Sequence, residues 1–174
     1  VTDDLIALIE AVDSASDPDR MLIRAGASAM PVDEIPEDIR PLFDRPVLAM
    51  HLGAGNETKQ WPVQNFALVA DILRRDNEIG IVLVGGPDEA ELAESFLALI
   101  EDPSTVGSMV GRTSMADLPR FLAACSLYIG NDSGPKHIAA AIGVPTIGIH
   151  SGVIDATEWA PMGDAAVALR RGMS

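Results

Sequence analysis

The chain has 174 residues, about the length of one folded domain. Hydrophobic residues make up 48% and charged residues 22%, a composition typical of a globular protein with a packed core. Twelve basic against 26 acidic side chains give a formal net charge of −14. This charge disfavours nucleic acid and anionic lipid as partners.

The only cysteine, Cys125, cannot form a disulfide within the chain, which is consistent with a cytoplasmic protein. Its apolar neighbours predict a thiol in the core. The sequence starts at Val1 without the basic and apolar regions of a signal peptide, so we interpret it as an excised piece. No apolar run approaches the roughly eighteen residues of a membrane span, so no transmembrane segment is expected.

The first 45 residues differ in character from the rest. A short helix-like stretch from Asp4 to Val12 is followed by an acidic loop and by a proline-punctuated run from Pro31 to Pro46. This pattern predicts a linker, or the edge of a preceding domain. From residue 46 onward, short apolar runs alternate with helix-period segments, which predicts one domain over residues 46–174.

Five short apolar runs predict strands without an exposed face: Val47 to Met50, Ile79 to Val84, Val106 to Val110, Leu127 to Ile129 and Thr146 to Ile149. Strands of this kind suit a parallel sheet that is covered on both sides. Right-handed crossovers then give a three-layer, doubly wound α/β fold.

Three segments between the strands have a helical apolar face, formed by Phe66, Val69, Ala70 and Leu73, by Leu92, Phe96 and Leu99, and by Leu118, Phe121 and Leu122. The third helix is predicted to begin near Ser114, whose hydroxyl can accept a hydrogen bond from an early helix amide. Asp117 then completes a variant capping pair.

Polar and glycine-rich residues follow four of the predicted strands, in the segments His51–Gly55, Gly85–Glu89, Gly130–Pro135 and His150–Gly152. Ligands of open α/β sheets bind in the crevice outside the carboxyl ends of the strands. The sequence therefore predicts one binding crevice at this edge.

The loop from His51 to Lys59 carries two glycines, Gly53 and Gly55, whose backbone can approach a phosphate closely. Lys59 is the candidate cation for a diphosphate. The alternative is a glycine-rich turn with a solvated lysine, since the loop matches neither dinucleotide-binding nor Walker patterns.

The segment from Gly130 to His137 predicts a strand-to-helix turn whose free amides attract anions. Asp132 is expected to cap the helix or to hold a hydroxyl group, while Ser133 and Gly134 offer donors. An N-cap without a ligand is the alternative. His137 lies one turn further, where a packed core histidine is the competing interpretation.

Two other kinds of site are disfavoured. No pair among the three histidines has zinc-ligand spacing, so no metal site is expected. Two residues separate Gly130 from Ser133, so the turn does not match the G-x-S-x-G nucleophile elbow of hydrolases.

Four segments resemble, in their order, those of family-nine glycosyltransferases, the heptosyltransferases and their relatives: His51–Gly55, Lys59–Pro62, Gly85–Asp88 and Gly130–His137. The resemblance extends through Ala139–Pro145 to Trp159–Gly163, and thus over roughly residues 46 to 164. The ending His150–Asp155 departs from the family's Phe-Gly-Pro-Thr pattern, which leaves the identity of the donor open.

The resemblance implies the GT-B architecture of two Rossmann-like domains, of which this chain resembles the C-terminal, donor-binding one. It implies that Lys59 meets the diphosphate of a nucleotide sugar such as ADP-heptose and that Asp88 or Glu89 holds the ribose. The donor phosphates or sugar would be lined by Asp132, Ser133, Gly134 and His137, beside the loop of His51, Gly53 and Gly55.

The same resemblance implies an inverting transfer to a glycan or lipopolysaccharide-type acceptor without a metal or other cofactor. The base and the acceptor site would lie in the N-terminal domain, so the chain alone is expected to bind donor without transferring sugar. A cytoplasmic location is expected, with peripheral contact to the inner membrane through the full-length protein. Alternatives are a nucleotide-sugar-binding module without transferase activity, a GT-B-like epimerase or hydrolase, and a domain that has lost its chemistry.

Overall fold

A computed structural model describes residues 28–150 and 166–170 of the chain. Within them, six parallel strands form one sheet in the order β3-β2-β1-β4-β5-β6. The strands are β1 (Val47–His51), β2 (Gly80–Val84), β3 (Val106–Ser108), β4 (Leu127–Asn131), β5 (Thr146–His150) and β6 (Ala166–Arg170). This order is that of the Rossmann fold, and the predicted doubly wound α/β class is confirmed.

The central strands are buried along their whole length, which explains their continuous apolar sequence. Every residue of β1, β2, β4 and β5 is buried. The five predicted strands are all present, with bounds that differ by one or two residues. The sixth, β6, pairs with β5 at the edge and was not predicted.

In the part of the chain that the structure describes, four α-helices cover the two faces of the sheet: α1 (Val63–Asp76), α2 (Ala90–Leu97), α3 (Leu118–Ala124) and α4 (Gly134–Ala141). Residues of α1 and α2 pack on one face, around Phe66 and Phe96. Residues of α3 and α4 pack on the other, around Phe121 and Ala139. Cys125 is buried in this second core, as predicted.

Two helix predictions were wrong in detail. Leu99 is exposed, because α2 ends at Leu97 and Ile100 takes the buried position in the chain that follows. The helix expected near Ser114 begins at Leu118 instead. The Ser114 hydroxyl does accept from an early amide, that of Asp117 at 3.1 Å, but this bond closes the turn that precedes the helix.

Residues 30–45 pack against the second face through Ile35 and Ile39, which are buried beside α3. Two exposed ion pairs, Asp38–Arg112 and Glu34–Arg120, join this segment to the rest. The domain boundary after residue 45 stays a prediction, and the helix-like stretch from Asp4 to Val12 lies outside the described residues. None of the helices described is long and apolar enough to cross a membrane.

Candidate functional site

The strand order places the candidate site between β1 and β4. The chain runs from β1 outward to β2 and β3, then returns to β4 and continues to the opposite edge. Connections that leave neighbouring strands in opposite directions open a crevice at their carboxyl ends. His51 and Asn131, the last residues of β1 and β4, border this crevice.

The imidazole of His51 joins two of the predicted site residues. Its Nε2 atom lies 3.1 Å from Oε1 of Glu89. Its Nδ1 atom lies 3.0 Å from Oγ of Ser133, which is also 3.1 Å from the carbonyl oxygen of Asn131. These two contacts connect the loop after β2 to the start of α4 through the end of β1. The His51 side chain that makes them is buried.

Two glycines make room for the Glu89 carboxylate. A Cβ at Gly53 would overlap Oε1 of Glu89, and one at Gly85 would overlap Oε2. The amide of Gly86 donates to Oε2 at 2.8 Å. Packing therefore explains the glycine at position 53, in addition to the predicted approach of a phosphate, since any side chain there would displace Glu89.

Glu89 is held as a carboxylate. Burial acts to raise its pKa, but the hydrogen bond and the charge of His51, together with the Gly86 amide, lower the pKa below its usual value. Asp88, the alternative ribose ligand, is exposed, and its carboxylate lies beside Gly86 rather than against His51. Of the two acidic residues, the structure joins Glu89 to the cluster.

Asn131 fastens the loop that follows β1. Its Nδ2 atom donates to the carbonyl oxygen of Leu52 at 2.7 Å, and its Oδ1 atom accepts from the amide of Trp61 at 2.9 Å. The Trp61 ring packs edge-on against Phe66 of α1, with centroids 4.9 Å apart. The loop carrying Lys59 is thus anchored at both ends to the crevice.

Lys59 reaches across this crevice to Asp132. Its Nζ atom lies 3.6 Å from Oδ2 of Asp132, and about a third of its side chain is exposed. Asp132 is also bound by Lys136, whose Nζ atom lies 2.6 Å from Oδ1. Burial acts to raise the pKa of Asp132, but the hydrogen bond and charge of Lys136, together with the charge of Lys59, lower it below its usual value.

Asp132 consequently does not cap α4. The N-cap residue is Ser133, whose side chain makes no capping hydrogen bond because it faces His51 and the Asn131 carbonyl. Gly134 is exposed, with no atom within 4 Å of the position of a Cβ. A Cβ at Gly55 would likewise have no atom within 4 Å, so a ligand can approach the backbone at both glycines.

Two histidines flank the buried lysine. His150 at the end of β5 is buried, with Nε2 3.3 Å from Nζ of Lys136, while its Nδ1 atom has no hydrogen-bond partner among the described residues. His137 is half-buried on the first turn of α4. Burial, and then the charge of Lys136, lowers the pKa of both histidines, so they are held neutral.

Two residues of the site were not predicted from the sequence. Lys136 follows Asp132 by four residues, a spacing that allows an ion pair on a helix, and this was the available signal. Asn131 lies within the segment Gly130–His137, but its role depends on the loop after β1, to which it is hydrogen-bonded.

A cavity of about 280 Å³ lies at the opposite edge, beside the amino ends of the strands, and its lining includes Arg45, Arg74 and Arg75. It contains none of the crevice residues. Within the described ranges, no three histidine, cysteine, aspartate or glutamate side chains are grouped to hold a metal ion.

The fold and the site define a Rossmann-like α/β domain whose charged residues gather where the strand order reverses. The chain belongs to glycosyltransferase family 9 (heptosyltransferase), whose family model matches residues 6–173. The family resemblance of the ordered motifs is thereby confirmed.

Individual relatives agree with this family. The chain is 30% identical over 111 residues to the lipopolysaccharide core heptosyltransferase OpsX of Haemophilus influenzae, with 63% of the chain and 31% of the relative covered. It is 34% identical over 105 residues to an Escherichia coli lipopolysaccharide heptosyltransferase 3, with 59% and 30% covered. The chain thus spans about a third of the length of these curated relatives.

A solved structure shows the same fold. The E. coli ADP-heptose lipopolysaccharide heptosyltransferase II superimposes with a TM-score of 0.68 at 25% sequence identity, covering 75% of this chain and 40% of that one.

Proposed function

We propose that this chain is the nucleotide-sugar-binding part of an inverting glycosyltransferase that transfers a heptose-like sugar to a lipopolysaccharide-type acceptor. The observation that carries the proposal is the convergence of Lys59, Glu89 and the exposed start of α4 on the crevice between β1 and β4. Family membership and the names of the relatives support sugar transfer as the reaction.

The charges of the crevice suit a nucleoside diphosphate. Lys59 provides a partly exposed ammonium group, and the exposed start of α4 at Gly134 adds the positive end of the helix dipole. We place the donor diphosphate between them, beside Ser133 and Gly134. His137 lies on the same turn and lines the phosphates or the sugar.

Glu89 suits the ribose. Its carboxylate is fixed by His51 and by the Gly86 amide, and a carboxylate after the second strand of a Rossmann-like sheet can accept hydrogen bonds from ribose hydroxyls. His51 then links the ribose end of the site to the phosphate end at Ser133. The adenine base is suggested by the name of the structural neighbour, an ADP-heptose heptosyltransferase.

In the proposed reaction, an acceptor hydroxyl attacks the anomeric carbon from the face opposite the diphosphate. The bond between that carbon and the diphosphate oxygen breaks, the configuration inverts, and the hydroxyl proton passes to a base from another part of the whole protein. Lys59 and the α4 amides stabilise the charge that develops on the departing diphosphate. Preorganised donors of this kind contribute about 3 kcal/mol each in other enzymes.

The whole protein would work in the cytoplasm, at the inner membrane when its acceptor is lipid-linked. Because the chain spans about a third of the length of its relatives, transfer and acceptor binding are proposed for the whole protein. Donor binding is proposed for the chain itself.

Calorimetric titration with ADP, UDP, GDP and ADP-heptose tests donor binding. We expect saturable binding of one nucleotide, weakened about tenfold by Lys59→Ala through loss of a charge-assisted contact. The matched control is Arg75→Ala, which removes one positive charge at the opposite edge of the sheet. Equal weakening by both substitutions, or no binding by the unaltered chain, would contradict the proposal.

A further inference from the structure

The chain contains two lysines among 174 residues, and both contact the same carboxylate. Lys136 binds Oδ1 of Asp132 at 2.6 Å, and Lys59 approaches Oδ2 at 3.6 Å. The chain carries 26 acidic side chains, so the convergence of both lysines on Asp132 calls for a physical reason.

The two lysines differ in their surroundings. The Lys136 side chain is fully buried, whereas about a third of the Lys59 side chain is exposed. An ammonium group that is removed from water must keep a counter-charge close by, so Lys136 remains on Asp132. Lys59 can leave Asp132 and still be solvated.

The surrounding chain holds Lys136 in place. Its stem crosses β5 at Gly148, where a Cβ would lie 2.7 Å from its Cδ atom. Beyond Gly148, its ammonium group lies between Asp132 and Nε2 of His150. Because burial lowers the pKa of His150, this imidazole is neutral and does not compete with Lys136 for the carboxylate.

We propose that Lys136 is a positioning residue of the crevice, which neutralises Asp132 and thereby leaves the Lys59 ammonium available to an anionic ligand. Without Lys136, the Asp132 carboxylate would hold Lys59 and repel a diphosphate at the start of α4. The inference rests on the proposed function for the identity of that anion, but the charge relation among the three residues stands apart from it.

Lys136→Met tests the charge relation without any nucleotide, since methionine fills the buried path without a charge. With ¹³C-lysine labelling, the variant has one lysine Cε resonance, that of Lys59, which can be followed by relaxation. We expect the order parameter of Lys59 to rise, because Asp132 then binds it. The double variant Lys136→Met/Asp132→Asn should return it to the value of the unaltered chain.

ADP is the probe for the consequence, because it carries the diphosphate without a sugar. Lys136→Met should weaken ADP binding about tenfold, because the charge-assisted contact of Lys59 with the diphosphate is lost. The double variant should bind ADP with a Kd within about threefold of that of the unaltered chain. If Lys136 only stabilised the fold, the further substitution Asp132→Asn would not restore ADP binding. Circular dichroism of both variants, compared with that of the unaltered chain, checks that they are folded.

The outcomes separate the two proposals. An unchanged Lys59 order parameter in Lys136→Met, or a double variant that binds ADP as weakly as the single one, would overturn the role of Lys136. If the unaltered chain does not bind ADP, the proposed function fails, while the lysine relaxation still decides whether Lys136 controls Lys59.

Discussion

Nε2 of His51 lies 3.1 Å from Oε1 of Glu89, which joins the end of β1 to the loop after β2. The glycines at positions 53 and 85 leave the space in which this contact forms. Since Nδ1 of the same ring faces Ser133, the position of Glu89 is coupled to the start of α4. A substitution at Glu89 should therefore shift the start of α4, and a substitution at Ser133 should shift Glu89.

The ribose role of Glu89 predicts a loss that depends on the ribose hydroxyls. Glu89→Gln should weaken ADP binding about tenfold, because the amide forms weaker hydrogen bonds to hydroxyl groups than a carboxylate does. Binding of 2′,3′-dideoxy-ADP, which lacks those hydroxyls, should change by less than about twofold in the same calorimetric titration. Equal losses for both nucleotides would show that Glu89 acts on the fold rather than on ribose.

The ionisation of Glu89 predicts how stability depends on pH. Its pKa in the folded chain lies below the usual value, since the His51 and Gly86 contacts outweigh burial. The stabilisation is therefore fully present above the unfolded pKa of about 4.3 and is lost as pH falls through the lower folded pKa. Urea unfolding from pH 7 to pH 3 should show a smaller acid loss for Glu89→Gln than for the unaltered chain.

The exposed neighbour of Glu89 provides the control for this pH series. Asp88→Asn removes a carboxylate that lies outside the His51 contacts. It should leave the acid loss as it is in the unaltered chain. An Asp88→Asn profile that matches Glu89→Gln would assign the effect to net charge.

Much of the sheet was predictable, because the central strands are apolar on both faces and the crevice residues follow strand ends. The meeting of His51 with Glu89 follows from the adjacency of β1 and β2. The short run Ala166–Arg170 did not indicate a strand, since alanine has low β propensity and pairing with β5 decides the outcome.

The role of Lys136 could not be predicted from its own helix. A lysine four residues after an aspartate is normally a solvated partner on a helix surface. Its burial depends on the missing side chain at Gly148, on a different strand, and on His150 beyond it. Such packing is known only after the fold is known.

The buried ion pair predicts an asymmetry in stability. Asp132→Ala should lower the free energy of unfolding by about 3–5 kcal/mol, because it leaves the buried Lys136 without this carboxylate. Lys136→Met should cost less, since Asp132 retains Lys59 as a partner. The double variant Lys136→Met/Asp132→Asn should lie within about 1 kcal/mol of the unaltered chain in urea unfolding. Equal costs for the two single variants would contradict this account of the pair.

The path of the Lys136 stem predicts the effect of a single methyl group. Gly148→Ala would place its Cβ 2.7 Å from Cδ of Lys136 and 3.3 Å from Nε2 of His150, so the lysine must shift within a packed core. We expect a loss of about 1–3 kcal/mol in urea unfolding, typical of overpacking. Gly55→Ala is the matched control, because its Cβ meets no atom within 4 Å, and its effect should stay below about 0.5 kcal/mol. The Cε resonance of Lys136 should shift in Gly148→Ala and should stay unchanged in Gly55→Ala. If Gly148→Ala changes neither the stability nor the spectrum, the Lys136 side chain takes another path.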